Sequence, residues 1–208
     1  MIRGIFDALK WPLLIISLMI LLILSRQIPS TPKLSLEKDA VILAFGDSLT
    51  YGYGAVEYAY PLLLERLLSR TVVNEGVTGE ISSIGLKRLP GLLQRYHPQV
   101  VILCHGGNDI LRHQSLQELK ANLTKMVILS QESGALVLIV GVPGFSPLGV
   151  TTLALYKEVA EAQYTLYEGR VLEEIEQTPA LKSDQIHPNA QGYKMMAVSF
   201  SRILQNIE

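Results

Sequence analysis

The sequence predicts an α/β domain in which helices cover both faces of a parallel sheet. Three observations carry this reading. Short, unbroken apolar runs recur at residues 41–45 (VILAF), 99–104 (QVVILC) and 135–142 (ALVLIVGV), the pattern of strands buried on both faces. Stretches with apolar residues at helical spacing separate these runs, the alternation that builds parallel sheets. Polar, glycine-bearing clusters follow the strands: Gly46-Asp47-Ser48, the loop holding Gly79, and Gly106-Gly107-Asn108-Asp109. Right-handed crossovers place strand C-termini on one edge of such a sheet, so these clusters are expected to gather there.

The elements follow in order. The first strand, 41–45, ends at Gly46, where the backbone turns sharply before Ser48. The loop TYGYGAVEYAY leads to a helix with Pro61 in its first turn and Leu62, Leu63, Leu64, Leu67 and Leu68 on its apolar face. Residues 71–74 form a short β-branched strand. A helix is expected over 81–96, with Pro90 bending it or starting a new turn. After the strand at 99–104, Ser115 and Glu118 form a capping box for a helix packing through Leu116, Leu119, Leu123, Met126 and Val127. Gly134 ends it, and the strand at 135–142 follows. The segment 141–150 (GVPGFSPLGV) reads as a loop, 151–163 as a helix, 164–167 as a short strand and 171–177 as a short helix. The last helix opens at Pro188 and packs through Tyr193, Met196, Ala197, Phe200, Ile203 and Ile207.

Composition narrows the function. With 18 basic and 19 acidic residues in 208, the net charge of −1 gives no support for nucleic-acid binding. A single cysteine, Cys104, rules out an intrachain disulfide and cysteine-rich metal sites, and its place in an apolar run marks a small buried hydrophobe. The N-terminus stands apart. Residues 11–24 carry no charge, Arg3 and Lys10 precede them, and no small-x-small cleavage site follows Leu24. The 14 uncharged residues are short for a span of roughly 20, yet a retained anchor is favoured over a cleaved signal. The basic flank holds the N-terminus in the cytoplasm and sends the rest outward. The expected organisation is an anchor or signal at 1–26, a linker at 27–38 and a catalytic domain at 39–208.

A serine beyond a strand end becomes a nucleophile only with a base, and the base needs an orienting acid. Of four histidines, His187 stands in SDQIHPNAQG with Asp184 three residues before it. One loop then presents both side chains, Asp184 to one ring nitrogen and Ser48 to the other. His97 precedes Pro98 in a turn and reads as structural, and His113 reads as an exposed loop residue. His105, beside Gly106, is either structural or a residue lining the site. Acyl transfer also needs donors for the oxyanion. Asn108 can donate its side-chain amide, Gly79 a backbone N–H, and Ser48 its own N–H, aided by a helix dipole if a helix begins just after it.

These blocks resemble those of the SGNH hydrolases: Gly46-Asp47-Ser48-Leu49, Gly79, Gly107-Asn108-Asp109, and Asp184-Gln185-Ile186-His187-Pro188, in that order. The resemblance runs from about Ala40 to the C-terminus. It is strongest to the small bacterial esterase, thioesterase I and lysophospholipase group through VNEGVTGE, RLPGLLQRYHPQVVILCHGGNDILR and KSDQIHPNAQGY. It implies a flavodoxin-like three-layer sandwich with five parallel strands. It also implies Ser48 as nucleophile, His187 as base, Asp184 as its partner, and Ser48, Gly79 and Asn108 as the oxyanion hole. Asp47 and Asp109 are expected to brace their turns rather than enter the chemistry.

The expected reaction is hydrolysis of an ester or thioester through an acyl-enzyme, without metal or cofactor. Activity should fall on the acid side as His187 protonates. Phe145, Leu148 and Leu111 are candidates for an apolar acyl channel, and an anchored monomer on the periplasmic side of the cytoplasmic membrane suits membrane-derived lipid esters. Release after signal cleavage is the alternative location. The competing functions are a cell-envelope carbohydrate O-acetyl esterase or acyltransferase, and a non-enzymatic binding module.

Overall fold

A computed structural model describes residues 36–147 and 149–206. The core is a five-stranded parallel sheet. Its strands are β1 (Val41–Gly46), β2 (Thr71–Gly76), β3 (Val100–Cys104), β4 (Leu136–Val140) and β7 (Leu166–Glu168), in the spatial order β2-β1-β3-β4-β7. Counting only these five strands, this is the 2-1-3-4-5 order of flavodoxin-like folds, which places a ligand crevice at the switch point between β1 and β3.

The helices are α1 (Ser48–Tyr51), α2 (Tyr60–Leu68), α3 (Ser82–Tyr96), α4 (Gly107–Leu111), α5 (Leu116–Glu132), α6 (Ala154–Ala162), α7 (Val171–Gln177) and α8 (Ala190–Gln205). Two groups, α2 with α8 and α3 with α5 and α6, sandwich the sheet. The continuous apolar runs explain the arrangement. Every residue of β3 is buried, as are four of the five in β4, so both sheet faces need cover. Phe200 of α8 meets Tyr60 of α2 edge to face, with ring centroids 5.0 Å apart. Each such fully buried aromatic contributes roughly 1.5–3 kcal/mol of transfer free energy.

Register brings the functional loops together. Gly46 lies opposite Gly76 on one side and Cys104 on the other, so β1, β2 and β3 end level. A Cβ at Gly46 would lie 2.0 Å from the Cys104 carbonyl oxygen, and one at Gly76 2.1 Å from the Tyr51 nitrogen. Only glycines let α1 sit this close to the sheet edge.

The structure differs from the sequence expectations in several places. Residues 143–152, read as loop running into helix, form an antiparallel hairpin of β5 (Pro143–Ser146) and β6 (Gly149–Thr152). The turn is closed through Gly149 at φ +122°, and helix α6 starts only at Ala154. Strand β4 stops at Val140, before Val142. The last sheet strand begins at Leu166, because Tyr164 is 96% exposed in a left-handed turn at φ +49°. Helix α8 begins at Ala190 with Asn189 as its cap, which leaves Pro188 in the preceding loop. Helix α3 runs through Pro90 without a break. The expected anchor at 1–26, Leu148 and Ile207 lie outside the described residues. Among the described residues, no helix is long and apolar enough to cross a membrane.

Candidate active site

Ser48 is the first residue of α1, directly past the β1 terminus. The turn is fixed by Asp47, whose Oδ1 accepts from the Leu49 N–H at 3.1 Å and caps the helix. Burial pushes the Asp47 carboxyl above the usual carboxylate range. It does so against the opposing pull of His105, the Leu49 N–H, Asn108 and His187.

His187 reaches Ser48 from 139 positions away: its Nε2 lies 3.0 Å from Ser48 Oγ. Its Nδ1 lies 2.7 Å from Asp184 Oδ2. The loop between them is wound by short hydrogen bonds. Asp184 Oδ1 accepts from the Ile186 and His187 N–H groups at 2.9 and 2.8 Å. The Ser183 N–H donates to the His187 carbonyl at 2.8 Å, and the Asn189 N–H donates to the Leu181 carbonyl at 2.8 Å, closing the neck. Partial burial raises the Asp184 pKa, but donation from the Ile186 N–H and from His187 outweighs it and holds the carboxyl below its usual range. An ionised Asp184 fixes the tautomer in which Nδ1 carries the proton and Nε2 accepts from Ser48.

Asn108 stands in the first turn of α4, and its Nδ2 donates to Asp47 Oδ2 at 3.3 Å. That bond uses one amide hydrogen and leaves the other for the cavity that Asn108 lines. Gly79 occupies the third position of a β-turn in which the Glu80 N–H donates to the Val77 carbonyl at 3.1 Å. Its φ of +79° is the type II value, which L side chains rarely adopt. Its carbonyl accepts from Arg112 Nη2 at 2.8 Å. Ser48, His187, Gly79 and Asn108 share a cavity of about 280 Å³. Asp184 stands behind His187, outside the lining. Leu49, Ile110, Leu111, Val142, Phe145, Leu172 and Ile186 make the wall mainly apolar. A wider outer groove shares Ile110, Leu111, Phe145 and Ile186 with it.

Other candidates fall elsewhere. His105 is fully buried and does not line the cavity, so its site-lining reading is corrected. Its ring points away to Glu80, 3.2 Å from Nε2. Asp109 accepts from the Ser82 N–H at 2.8 Å and from its hydroxyl at 2.6 Å, tying α4 to the start of α3. His97 is the left-handed C-cap of α3, and His113 is exposed. Two residues of the site lay unremarked in the sequence. Tyr53 stacks obliquely on His187 with ring centroids 4.5 Å apart, and its carbonyl accepts from the Tyr193 hydroxyl at 2.8 Å. Glu176 lines the cavity and is paired with Lys182 at 3.2 Å. Burial pushes its carboxyl up against the pull of that lysine. Tyr53 carried a weak signal, one of several tyrosines in a glycine-rich loop beside Ser48. Glu176 carried none.

The GDSL-like lipase/acylhydrolase family matches this chain over residues 44–195. An arylesterase of Vibrio mimicus is 31% identical over 167 residues, covering 75% of this chain and 84% of its own. Thioesterase 1/protease 1/lysophospholipase L1 of Escherichia coli (strain K12) is 30% identical over 172 residues, covering 79% of this chain and 83% of its own. The crystal structure of TesA aligns with a TM-score of 0.72 at 26% identity, covering 81% of this chain and 99% of that one. The chain therefore belongs to the GDSL-like lipase/acylhydrolase family and is a serine hydrolase of carboxylic ester or thioester bonds.

Proposed function

We propose that Ser48 is the nucleophile of this hydrolase, with His187 as its base and Asp184 orienting the imidazole. One observation carries the reading: an unbroken line from Asp184 through His187 to Ser48, at 2.7 and 3.0 Å, that ends in the apolar cavity. Ser48 Oγ attacks the acyl carbonyl carbon as its proton passes to His187 Nε2. The carbonyl π electrons move onto oxygen, which rests on the N–H groups of Ser48 and Gly79 and on Asn108 Nδ2. The tetrahedral centre collapses, the bond to the leaving oxygen or sulfur breaks, and His187 returns the proton to it. Water then repeats the sequence on the acyl-Ser48 ester, releasing a carboxylic acid and restoring the serine.

The wall chemistry favours an apolar acyl group. Leu111 and Phe145, both among the expected lining residues, stand at the junction of the cavity and the outer groove. The proposed substrates are acyl esters or thioesters of the lysophospholipid, aryl ester and acyl-CoA kinds. The protein is proposed to act as a membrane-anchored enzyme held by residues 1–26, with the catalytic domain outside the cytoplasm.

The test is a panel of p-nitrophenyl esters, lysophospholipid and acyl-CoA given to the full-length protein and to Ser48→Ala. Loss of turnover in the variant, with a preference for longer acyl chains in the wild type, is expected. Near-wild-type hydrolysis by Ser48→Ala would sink the assignment, and a sharp preference for acetyl would sink the substrate class. Membrane fractionation with protease shaving tests the location, and recovery of the protein in the soluble fraction would overturn it.

A further inference from the structure

We propose that His105 is a positioning residue that braces the two oxyanion loops against each other from inside the domain. This rests on the reading of Gly79 and Asn108 as oxyanion donors.

Glu80 follows Gly79 directly in the chain, and its carboxylate is held by a fork. Arg88 Nε donates to Oε1 at 3.0 Å and Arg88 Nη2 to Oε2 at 2.7 Å. Arg88 is itself fixed by the Glu75 carboxylate at 3.2 Å and the Glu75 carbonyl at 3.1 Å, and it lies over the Phe45 ring at 4.6 Å. The remaining contact comes from the other donor loop. His105, three residues before Asn108, places Nε2 3.2 Å from the same Oε2. Its backbone is anchored, because its carbonyl accepts from the Tyr156 hydroxyl at 3.0 Å. The side chain of one donor's loop therefore grips the residue adjoining the other donor. Arg112 ties the same loop from the solvent side through the Gly79 carbonyl, so the Gly79–Glu80 segment is held from both sides.

Two details separate a brace from ordinary packing. The imidazole is fully buried, yet its Nδ1 is among the buried atoms with no hydrogen-bond partner. Burying an unpaired polar nitrogen is costly, and an aliphatic side chain would fill the same space without that cost. What the imidazole supplies there is its bond to Glu80. In addition, Gly85 of α3 leaves room for that bond. A Cβ there would lie 2.5 Å from His105 Nε2 and 3.2 Å from Glu80 Oε2.

The test compares wild type, His105→Leu, His105→Gln and Gly85→Ala in the full-length protein. End-point labelling with a fluorophosphonate counts reactive Ser48 sites, and kcat per labelled site, KM for a p-nitrophenyl ester and the Ki of an aryl boronate are then measured. A boronate adduct on Ser48 has a tetrahedral boron that carries an oxygen where the oxyanion would sit. Small misplacements at a reacting centre cost up to about a hundredfold, so a loss of roughly tenfold in kcat per site is expected for His105→Leu. KM should hold, and the boronate Ki should rise by a similar factor. Gly85→Ala, which drives the ring off Glu80, should do the same, and His105→Gln, which keeps a donor, should recover most of the rate. Unchanged kcat per site in both His105→Leu and Gly85→Ala would overturn the proposal. So would a change confined to KM, or a glutamine variant no better than leucine. Failure of the wild-type protein to label at Ser48 would instead overturn the catalytic reading beneath it.

Discussion

Asp47 allows a direct separation of bracing from chemistry, because its two carboxylate oxygens do two different jobs. Oδ1 caps α1 through Leu49 at 3.1 Å, and Oδ2 holds the Asn108 amide at 3.3 Å. Asp47→Ala removes both. Loss of a helix cap costs about 1 kcal/mol, and loss of a bond to a charged acceptor adds a comparable amount. Release of a buried carboxylate offsets part of this, so a net loss of about 1–2 kcal/mol is expected, or roughly 2–8 °C in Tm for a domain of this size. With Asn108 as a proposed oxyanion donor, the catalytic cost is expected there. Removing an oxyanion donor outright costs about 10²–10³ in kcat, and an amide left free to rotate should lose about 10- to 100-fold. The two losses have separate readouts. Thermal melting followed by circular dichroism gives the first, and ester turnover per fluorophosphonate-labelled site gives the second. The pH dependence supplies an independent check. Burial raises the folded-state pKa of Asp47 above its unfolded value. The stability it contributes is therefore fully present below the unfolded pKa and is lost as pH rises through the folded pKa. Relative to Asp47→Asn, the wild type should gain stability as pH falls through that window. Wild-type kcat per site in Asp47→Ala would refute the claim that Asp47 holds Asn108 in a working orientation. A large rise in KM without loss of kcat would assign it to substrate binding instead.

Four further outcomes test other parts of the structure. Phe200→Ala removes a fully buried ring packed edge to face on Tyr60, and should cost about 3–5 kcal/mol by urea denaturation, with kcat per folded molecule unchanged. Gly46→Ala forces a Cβ to within 2.0 Å of the Cys104 carbonyl oxygen and 2.3 Å of Thr50 Oγ1, and should abolish soluble expression. Gly91→Ala, in α3 with nothing within 4 Å, should stabilise by about 0.5–1 kcal/mol. The Asp184 carboxyl is held low, so its contribution is present above its unfolded pKa and lost as pH falls through its folded pKa. A melting series against Asp184→Asn should show the wild type's advantage disappearing below about pH 4, and the advantage should be under about 1 kcal/mol because the group is 43% exposed.

The sheet was legible because burial on both faces leaves a mark in the sequence. The inner strands of a parallel sheet with helices on both sides need continuous apolar runs, and VILAF and VVILC can hardly be anything else. The hairpin at 143–152 was not legible for the complementary reason. Its pattern of buried, half-buried and exposed residues is too short and too glycine-rich to stand out from a loop. Its pairing sets Phe145 opposite Val150 and places Phe145 at the cavity wall. The start of α8 moved from Pro188 to Ala190 because Pro188 pairs across the loop with Lys182, and Asn189 accepts from both Gln191 and Gly192 N–H groups. A proline marks a helix start well only where no other element competes for it.

The candidate site divides along a different line. Ser48, Asp184 and His187 could be read because each stands in a local pattern with its own backbone logic: a strand-end glycine turn, and a loop whose Asp accepts from the two N–H groups that follow it. Gly79 and Asn108 could be read because a turn glycine and a Gly-Gly-Asn loop are also local. The supporting residues leave no such trace. Glu80, Arg88 and His105 meet across separations of 8 and 25 positions, and an Arg or a Glu in isolation carries no statement about its partner. His105 shows the difference most clearly. Placed by sequence beside the donor loop, it was open to a site-lining role, and its position was right. Its direction was the unknown, because residue 105 is the first beyond β3, where strand alternation no longer fixes which way a side chain turns. Facing outward it would have met substrate. Facing inward it meets Glu80, the neighbour of Gly79, and the proposed brace is what that direction makes available. Chemistry written in local motifs can therefore be read from one chain, while the precision of that chemistry depends on contacts that exist only once the sheet has formed.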